Sequence, residues 1–204
     1  DLPYPKKPLS NYTATKAMAE RLVLEANKKT LKTISLRPHL VWGPGDQTLI
    51  PGLLNRAKRN RIWQIGSEKH LIDTTFIDNL NQAQLAALNS LQNHQDAAGE
   101  AFFISNGEAI NTWDFINKIL SIYGYPKVTR KINEKLAYRI AGVLEPLHLM
   151  FNLPGEPLLT RLTVQELCKS HWFNLKKAKK LLNYHPNTSN SRGFKLLKEA
   201  FIKR

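Results

Sequence analysis

The sequence is poor in cysteine, because Cys168 is the only one among 204 residues. An intrachain disulfide is therefore excluded, and the fold must be held by packing and hydrogen bonds. A chain with a single cysteine suits a reducing compartment, and we expect a cytoplasmic location. The six histidines are scattered without the spacing of metal ligands, so we expect no metal site.

A glycine-rich phosphate-binding motif is also missing. The chain has ten glycines, but none of them forms G-x-x-G-x-x-G or G-x-G-x-x-G between a strand and a helix. That motif holds the pyrophosphate of a dinucleotide through backbone N–H groups and the start of a helix. The turn Gly43–Pro44–Gly45 has too few glycines and the wrong context for a P-loop. The 204 residues therefore carry no recognisable phosphate-binding loop.

Acidic residues are scarce relative to basic ones. The chain has 30 Lys and Arg against 16 Asp and Glu, which gives a net charge of +14 and a pI near 9.9. Such a balance can indicate a nucleic-acid or anionic-membrane partner. The basic residues, however, are dispersed over several segments and form no recognisable nucleic-acid module. We expect most of them to lie on solvated helix faces, and we do not expect a nucleic-acid partner.

The chain lacks a long uninterrupted apolar run. The most apolar stretch, residues 136–153, is broken by Arg139, Glu145, Pro146 and His148. A helix that spans a bilayer needs about 20 predominantly apolar residues. A spanning helix is therefore not expected. Two alternatives remain, a helix that covers a substrate pocket or an amphipathic segment that lies on lipid.

The segment "NYTATKAMAERLVLEAN" predicts an amphipathic helix near the start of the chain. Apolar residues recur at the spacing of one buried stripe, namely Ala19, Leu22, Val23 and Ala26. Tyr12 and Lys16 lie four residues apart and so share a helix face. A nearby positive charge favours an ionised phenol, and a tyrosine in that setting acts as a general acid or base. Taken alone, the pair is more typical of ordinary helix-surface residues.

The residues that follow favour the chemical interpretation. "LKTISLRPHLVWGPGD" begins with a β-rich run over Thr33–Leu36, which Arg37 and Pro38 bring to an end. Further along, "AFFIS" at residues 101–105 predicts a buried strand. A helix with a Tyr–Lys pair, followed by a strand that ends in Arg-Pro and by a Gly-Pro-Gly turn, is an improbable coincidence.

The chain resembles the carboxy-terminal part of an extended short-chain dehydrogenase/reductase. The branch is that of 3β-hydroxysteroid dehydrogenase/isomerase-like proteins and their nucleotide-sugar epimerase relatives. The resemblance rests on ordered blocks over most of the chain: "YTATKAMAERLVLEAN", "LKTISLRPHLVWGPGDQTLIPGLL", "IGSEKHLIDTTFIDNLNQAQLAAL", "AAGEAFFISNGEAINTWDFI" and "HWFNLKKAKKLLNYHP".

The resemblance implies an α/β fold: the carboxy-terminal part of a Rossmann-type, doubly wound parallel sheet plus a smaller, helix-rich substrate lobe. Residues 1–105 would complete the dinucleotide-binding domain, with a substrate-lobe insertion at about 44–75. Residues 106–204 would be mainly substrate lobe and carboxy-terminal helices.

The resemblance also implies an enzyme that uses NAD or NADP on a small-molecule substrate, a hydroxyl or ketone of a sterol-like or nucleotide-sugar compound. Tyr12 and Lys16 match the Tyr-x-x-x-Lys signature. In the family the tyrosine exchanges a proton with the substrate, and the lysine binds the nicotinamide ribose. Pro38, His39, Leu40 and Val41 match the segment that passes the nicotinamide, so these four residues and the pair are the expected cofactor contacts.

His39 departs from the small or apolar residue expected at its position. It either packs against the nicotinamide ring or tunes substrate choice. Ser10 is too close in sequence to Tyr12 to act as the family's active-site Ser or Thr, and the resemblance places that residue on a strand upstream.

The sequence leaves two alternative functions open and implies several partners. One alternative is an epimerase or dehydratase with transient hydride transfer, and another is a basic binding module without turnover. The resemblance implies an amino-terminal half of the same fold as a partner, and we expect the 204 residues alone to be inactive. Homo-oligomerisation and a peripheral membrane contact are further expectations.

Overall fold

The computed structural model describes residue 4 and residues 11–67, 69–93, 96–154 and 157–203. The helices in these ranges are α1 Asn11–Glu25, α2 Leu49–Lys58, α3 Ile77–Asn93, α4 Thr112–Ile122, α5 Glu134–Met150, α6 Arg161–Cys168, α7 Lys176–Leu182 and α8 Asn190–Ile202. The strands are β1 Ile34–Pro38, β2 Val41–Trp42, β3 Gln64–Ile65, β4 Leu71–Ile72, β5 Thr75–Phe76, β6 Glu100–Ile104, β7 Ile110–Asn111 and β8 Lys131–Ile132.

The strands confirm an α/β fold in which parallel pairing prevails. β1 pairs in parallel with β6, β2 with β5, and β3 with β8, whereas β4 and β7 are antiparallel. The predicted strand "AFFIS" is β6, which begins one residue earlier, at Glu100. β1 includes Arg37 and ends at Pro38.

The chain divides into two compact units. Unit 1 comprises the described residues of Asp1–Leu49, Asp73–Glu108 and Phe173–Arg204, and unit 2 comprises those of Ile50–Ile72 and Ala109–Trp172. Residues 173–204 group with β1 and β6 and not with residues 109–172.

Packing against β6 explains why the carboxy-terminal segment belongs to unit 1. Phe102 and Ile104 of β6 are buried together with Leu182 and Tyr184, which lie in and just after α7. The Tyr184 hydroxyl donates a hydrogen bond of 2.9 Å to the Ser105 carbonyl oxygen. Burial raises the pKa of Tyr184, so it stays protonated and keeps this bond.

Unit 2 is built around a separate apolar core. Trp113 and Leu120 of α4, Ala137 and Ala141 of α5 and Val164 of α6 are buried in it. Within the described residues, no helix is long and apolar enough to cross a membrane.

The predicted helix at Tyr12 exists as α1, but the prediction of a buried stripe is wrong. No residue of α1 is buried, and Leu22 and Val23 are 66% and 42% exposed. Ala19 is also exposed, and Ala26 lies beyond the end of the helix. The contacts that attach α1 to β1 are made by polar side chains.

Glu20 is the centre of this polar attachment. Its carboxylate accepts hydrogen bonds from Arg37 Nη2 at 2.6 Å and Arg37 Nε at 2.8 Å. It also accepts bonds from the Ser35 hydroxyl at 2.7 Å and the Tyr4 hydroxyl at 2.6 Å. Arg37 and Ser35 belong to β1, so one carboxylate fixes the helix to the strand. The Arg37 guanidinium, together with Tyr4 and Ser35, lowers the pKa of Glu20 to about 2.

The lowered pKa predicts an acid-sensitive contribution to stability. Because the pKa of Glu20 falls from 4.5 to about 2 on folding, this contribution is complete above pH 4.5 and is lost as the pH falls towards 2. Glu20→Gln should therefore lower the melting temperature at pH 7 by more than at pH 3, measured by circular dichroism.

Glu25→Gln provides the matched control, because Glu25 is an exposed glutamate at the end of the same helix. An equal difference between Glu20→Gln and wild type at both pH values would show that the carboxylate of Glu20 does not hold the helix in place.

Candidate active site

The structure brings Tyr12 and Lys16 together on one face of α1. The Lys16 Nζ lies 5.8 Å from the centroid of the Tyr12 ring, within the range of an attractive cation–π contact. The tyrosine is 67% exposed, and Lys16 is also exposed. Thr15 donates a hydrogen bond of 2.9 Å to the Tyr12 carbonyl oxygen. Both functional groups are accessible to a molecule that approaches this face.

The segment Pro38–Val41 joins β1 to β2 at the carboxyl ends of the parallel strands β1 and β6. In open α/β sheets, ligands bind beyond this end of the strands. Leu40 has a φ of +42°, a left-handed conformation that is uncommon for a residue other than glycine and that is often found at functional sites.

Thr75 of β5 holds this segment in place. Its hydroxyl lies 2.7 Å from the His39 carbonyl oxygen and 3.2 Å from the His39 amide nitrogen. The Thr75 amide in turn donates to the Leu40 carbonyl oxygen at 3.2 Å. These bonds fix the backbone on both sides of the His39 side chain, so the strained conformation at Leu40 is maintained.

The His39 imidazole is bonded to Asp73, which sequence reasoning missed. The Nδ1 atom lies 2.8 Å from the Asp73 carbonyl oxygen and 3.0 Å from Asp73 Oδ1. Asp73 Oδ2 accepts a hydrogen bond of 3.0 Å from the Phe173 amide. The Asp73 side chain is only 3% exposed, whereas that of His39 is 25% exposed. No sequence signal indicates the partnership, because His39 and Asp73 are 34 residues apart.

Two phenylalanines complete the surroundings of His39. Phe173 meets the imidazole edge-on at a centroid distance of 5.3 Å and an interplanar angle of 83°. Phe173 also stacks on Phe103 of β6 at 4.1 Å and 3°. The imidazole is thus held by Asp73 on its Nδ1 side and by an aromatic ring.

Two concave surfaces of unit 1 lie elsewhere. They have volumes of about 430 Å³ and 630 Å³ and are lined by residues of the segments 44–96 and 180–203. Neither is lined by Tyr12, Lys16 or Pro38–Val41. The geometry of the side chains, and not the volume of a groove, therefore defines the candidate site.

A metal centre or a cysteine nucleophile is not supported by the described residues. Those residues contain no group of three or more His, Cys, Asp or Glu side chains that could hold a metal ion. Burial raises the pKa of Cys168 to about 11, which keeps the thiol protonated at neutral pH. Ser10, which the sequence argument did not assign as the active-site serine, lies outside the described residues.

The family of the chain follows from comparison with known proteins. A sequence model of the 3-beta hydroxysteroid dehydrogenase/isomerase family matches residues 1–134. A 2-alkyl-3-oxoalkanoate reductase of Stenotrophomonas maltophilia is 41% identical over 200 residues, which cover 98% of this chain and 61% of the reductase. A decarboxylating sterol-4-alpha-carboxylate 3-dehydrogenase of Mus musculus is 35% identical over 191 residues, 91% of this chain and 53% of that protein. The chain thus spans roughly half to three fifths of the length of these relatives.

Solved structures show the same fold. A UDP-glucuronic acid 4-epimerase from Bacillus cereus, in complex with NAD, superposes with a TM-score of 0.64 at 21% identity, over 97% of this chain and 54% of the epimerase chain. The likeness confirms a Rossmann-type α/β fold. Together with the family model and the relatives above 30% identity, it confirms the resemblance read from the sequence: the chain belongs to the 3-beta hydroxysteroid dehydrogenase/isomerase family.

Proposed function

We propose that the full-length protein is an NAD(P)-dependent oxidoreductase that interconverts a hydroxyl and a ketone. The observation that carries the proposal is the Tyr12–Lys16 pair, which is exposed on one face of α1 with the ammonium 5.8 Å from the ring centroid. The spacing of the pair matches the Tyr-x-x-x-Lys signature that the resemblance to this family implies.

The residues present suit the nicotinamide half of the cofactor. The Tyr12 hydroxyl and the Lys16 ammonium are exposed hydrogen-bonding groups that match the hydroxyls of a ribose. Pro38, Leu40 and Val41 provide an apolar surface for a nicotinamide ring. They lie at the carboxyl ends of the parallel strands β1 and β6, which is the end where ligands bind in α/β folds.

In the proposed oxidation, the carbinol C–H and O–H bonds of the substrate break and a C=O double bond forms. A nicotinamide bound beside Pro38, Leu40 and Val41 would supply the hydride acceptor for the C–H hydrogen. Tyr12 takes up the hydroxyl proton as a general base, and in the reverse reaction it returns the proton to the carbonyl oxygen. The positive charge of Lys16 stabilises the phenolate oxygen while the proton is away.

The names of the relatives narrow the proposed substrate class. The reductase acts on a 2-alkyl-3-oxoalkanoate and the dehydrogenase on carbon 3 of a sterol-4-carboxylate. In both compounds a carboxylate is attached to the carbon next to the reacting one. We therefore favour a β-hydroxy or β-oxo carboxylate with an apolar body, which includes the sterol-like compounds expected from the sequence. A nucleotide sugar, and with it epimerase or dehydratase chemistry, is supported only by structures that share the fold.

Tyr12→Phe tests the proposal directly. Because the ring remains and the transferable proton is lost, turnover of the full-length protein should fall by roughly 100- to 10,000-fold. NAD(P)H formation from a β-hydroxy acid, followed by absorbance, is the measurement. An epimerase would instead convert its substrate without net accumulation of NAD(P)H.

Tyr138→Phe is the matched control, since Tyr138 is an exposed tyrosine on α5 in the other unit. It should retain wild-type turnover. Full turnover by Tyr12→Phe would reject the assignment and would leave a basic binding module without turnover as the better description.

We further propose that the 204 residues alone do not bind the cofactor tightly. They lack the glycine-rich turn that normally holds the pyrophosphate, and contacts at the nicotinamide end alone must offset the cost of ordering the whole ligand. Calorimetric titration of the isolated chain with NAD(H) and NADP(H), near physiological salt to screen nonspecific attraction, should show no saturable binding at micromolar concentrations. Saturable, salt-resistant binding would contradict this proposal.

We also propose that α5 makes a peripheral contact with an anionic membrane surface. Its outward face carries apolar side chains at intervals of three or four residues that are 38–67% exposed: Leu136, Ile140, Val143, Leu147 and Met150. The opposite face is anchored in unit 2 by the buried Ala137 and Ala141. Lys135 and Arg139 are exposed beside the apolar stripe, where basic residues strengthen attachment to anionic lipid.

Vesicle co-sedimentation tests this contact. The full-length protein should sediment with vesicles of phosphatidylcholine and phosphatidylglycerol in equal parts, and Val143→Glu should reduce the bound fraction by several-fold. Leu85→Glu controls for the added charge, because Leu85 is an exposed leucine of α3 in unit 1. Equal losses in both variants, or no sedimentation of wild type, would rule out docking through α5.

A further inference from the structure

The contacts between α1 and β1 show that the two elements run in opposite directions. Just after α1, Asn27 Oδ1 accepts a hydrogen bond of 3.1 Å from the Thr33 amide, which precedes β1. Earlier in α1, Glu20 accepts bonds from Ser35 and Arg37, further along β1. The amino-terminal part of α1 therefore points towards the carboxyl end of β1, the end where ligands bind in α/β folds.

Tyr12, Lys16 and Glu20 lie on one side of α1. They follow one another at intervals of four residues, so their side chains project from the same side of the helix. At the rise of an α-helix, Lys16 lies roughly 6 Å and Tyr12 roughly 12 Å along the axis from Glu20. β1 ends only one residue after Arg37, at Pro38. Measured from the contact between Glu20 and Arg37, α1 therefore carries the Tyr12–Lys16 pair past the last residue of β1.

Glu20 is attached to β1 in a defined geometry. Its two carboxylate oxygens accept hydrogen bonds from Arg37 Nη2 at 2.6 Å and from Arg37 Nε at 2.8 Å. Two parallel bonds fix the orientation of the carboxylate relative to the guanidinium. The Glu20 side chain is 11% exposed and that of Arg37 is 22% exposed. The guanidinium also lies 5.1 Å from the centroid of the Phe103 ring of β6, so the partner of Glu20 is itself held on the sheet.

Apolar packing does not fix α1 in the same way. A helix that buries an apolar face is held in register by interlocking side chains. No residue of α1 is buried in the described part of the chain. The register of α1 against β1 therefore depends mainly on the polar bonds of Glu20.

We propose that Glu20 and Arg37 are positioning residues that set the register of α1 against β1 and thereby place the catalytic Tyr12. The proposal rests on the proposed function, in which Tyr12 exchanges a proton with the substrate. Glu20 and Arg37 contact neither substrate nor cofactor in this scheme and act through the helix. A displacement of about 1 Å in a catalytic group lowers turnover by about 100-fold, so a small shift of α1 is sufficient for a measurable effect.

Steady-state kinetics of the full-length protein with a 2-alkyl-3-hydroxyalkanoate and saturating cofactor test the proposal. Glu20→Gln and Arg37→Gln should each lower kcat by roughly 10- to 100-fold, because the catalytic group is misplaced. KM for the hydroxy acid should change by less than about threefold, because neither residue binds the substrate. The double variant should match the slower single variant within about twofold, since residues that act through one bond are not additive. Additive losses would overturn the proposal.

Glu20→Asp separates position from charge and from folding. The carboxylate remains, but the side chain is shorter by one methylene, so both bonds to Arg37 form again only if α1 shifts. The kcat should therefore fall by at least about fivefold at a temperature where circular dichroism shows the helix content of wild type. This variant decides the matter if Glu20→Gln does not fold. Wild-type kcat in Glu20→Asp, or a loss of kcat that disappears well below the melting temperature, would overturn the proposal.

Glu145→Gln is the matched control. Glu145 accepts hydrogen bonds of 2.7 Å from Arg161 Nε and from the Arg161 amide, and both residues belong to unit 2. The substitution thus removes the carboxylate of a comparable glutamate–arginine pair away from α1, and kcat should stay at the wild-type value. Equal losses of kcat in Glu145→Gln and Glu20→Gln would reflect a general effect of losing an ion pair and would overturn the proposal.

A distance measurement by electron paramagnetic resonance separates this inference from the proposed function, because it does not require turnover. Nitroxide labels on p-acetylphenylalanine, encoded at the exposed positions Met18 of α1 and Leu85 of α3 in the full-length protein, report where α1 lies in unit 1. Glu20→Gln should shift or broaden the distribution of distances, and Glu145→Gln should not. An unchanged distribution in Glu20→Gln overturns the proposal even in an active oxidoreductase. A changed distribution, together with full turnover by Tyr12→Phe, supports the register role of Glu20 and rejects only the proposed chemistry.

Discussion

A buried network of amide side chains is the constraint on which the arrangement of unit 1 depends. Asn106 follows β6, and its amide donates to Asn190 Oδ1 at 2.8 Å, while its oxygen accepts from the Phe76 amide at 2.8 Å and from Asn79 Nδ2 at 2.6 Å. Thr74 adds a bond from its hydroxyl to Asn190 Oδ1 at 3.1 Å. A buried amide that loses a partner costs roughly 1–3 kcal/mol. The network therefore specifies one position for β5 relative to β6 and α8.

This constraint reaches the candidate site through β5. Asp73 and Thr75 flank Thr74, a member of the network, and they hold the side chain and the backbone of His39. Trp42, which directly follows this segment in β2, donates to the Thr74 hydroxyl at 2.9 Å. The segment Pro38–Val41 is therefore held on both sides by contacts with residues 73–75. Side chains pack tightly around Trp42 and Phe76, since a Cβ added at Gly193 would lie 2.8 Å from Phe76 and 2.9 Å from Trp42. The strained conformation of Leu40 persists because these contacts determine its neighbours.

Charge is distributed in the candidate site according to two different tasks. Lys16 lies beside Tyr12 on an exposed helix face, and in the proposed enzyme its positive charge assists proton exchange at a reacting oxygen. Glu20, on the same helix, accepts hydrogen bonds from Arg37 and Ser35 of β1, and its role is structural. Asp73 is buried and faces His39. In the proposed enzyme, the exposed face of α1 serves proton transfer, and Glu20 on the same helix serves stability and the placement of that face.

The sequence by itself determined those helices and strands that depend on the preferences of neighbouring residues. The spacing of Tyr12 and Lys16 placed them one turn apart on a helix, the β-rich run before Pro38 formed β1, and "AFFIS" formed β6, because periodicity and backbone preferences act over a few residues. The same local patterns, compared with known sequences, established the family. The predicted burial of Leu22 failed, since periodicity identifies an apolar face but not what covers it. Only the tertiary structure joined His39 to Asp73 across 34 residues and Asp73 to Phe173 across 100, because such contacts depend on how β1, β5 and the carboxy-terminal segment pack together.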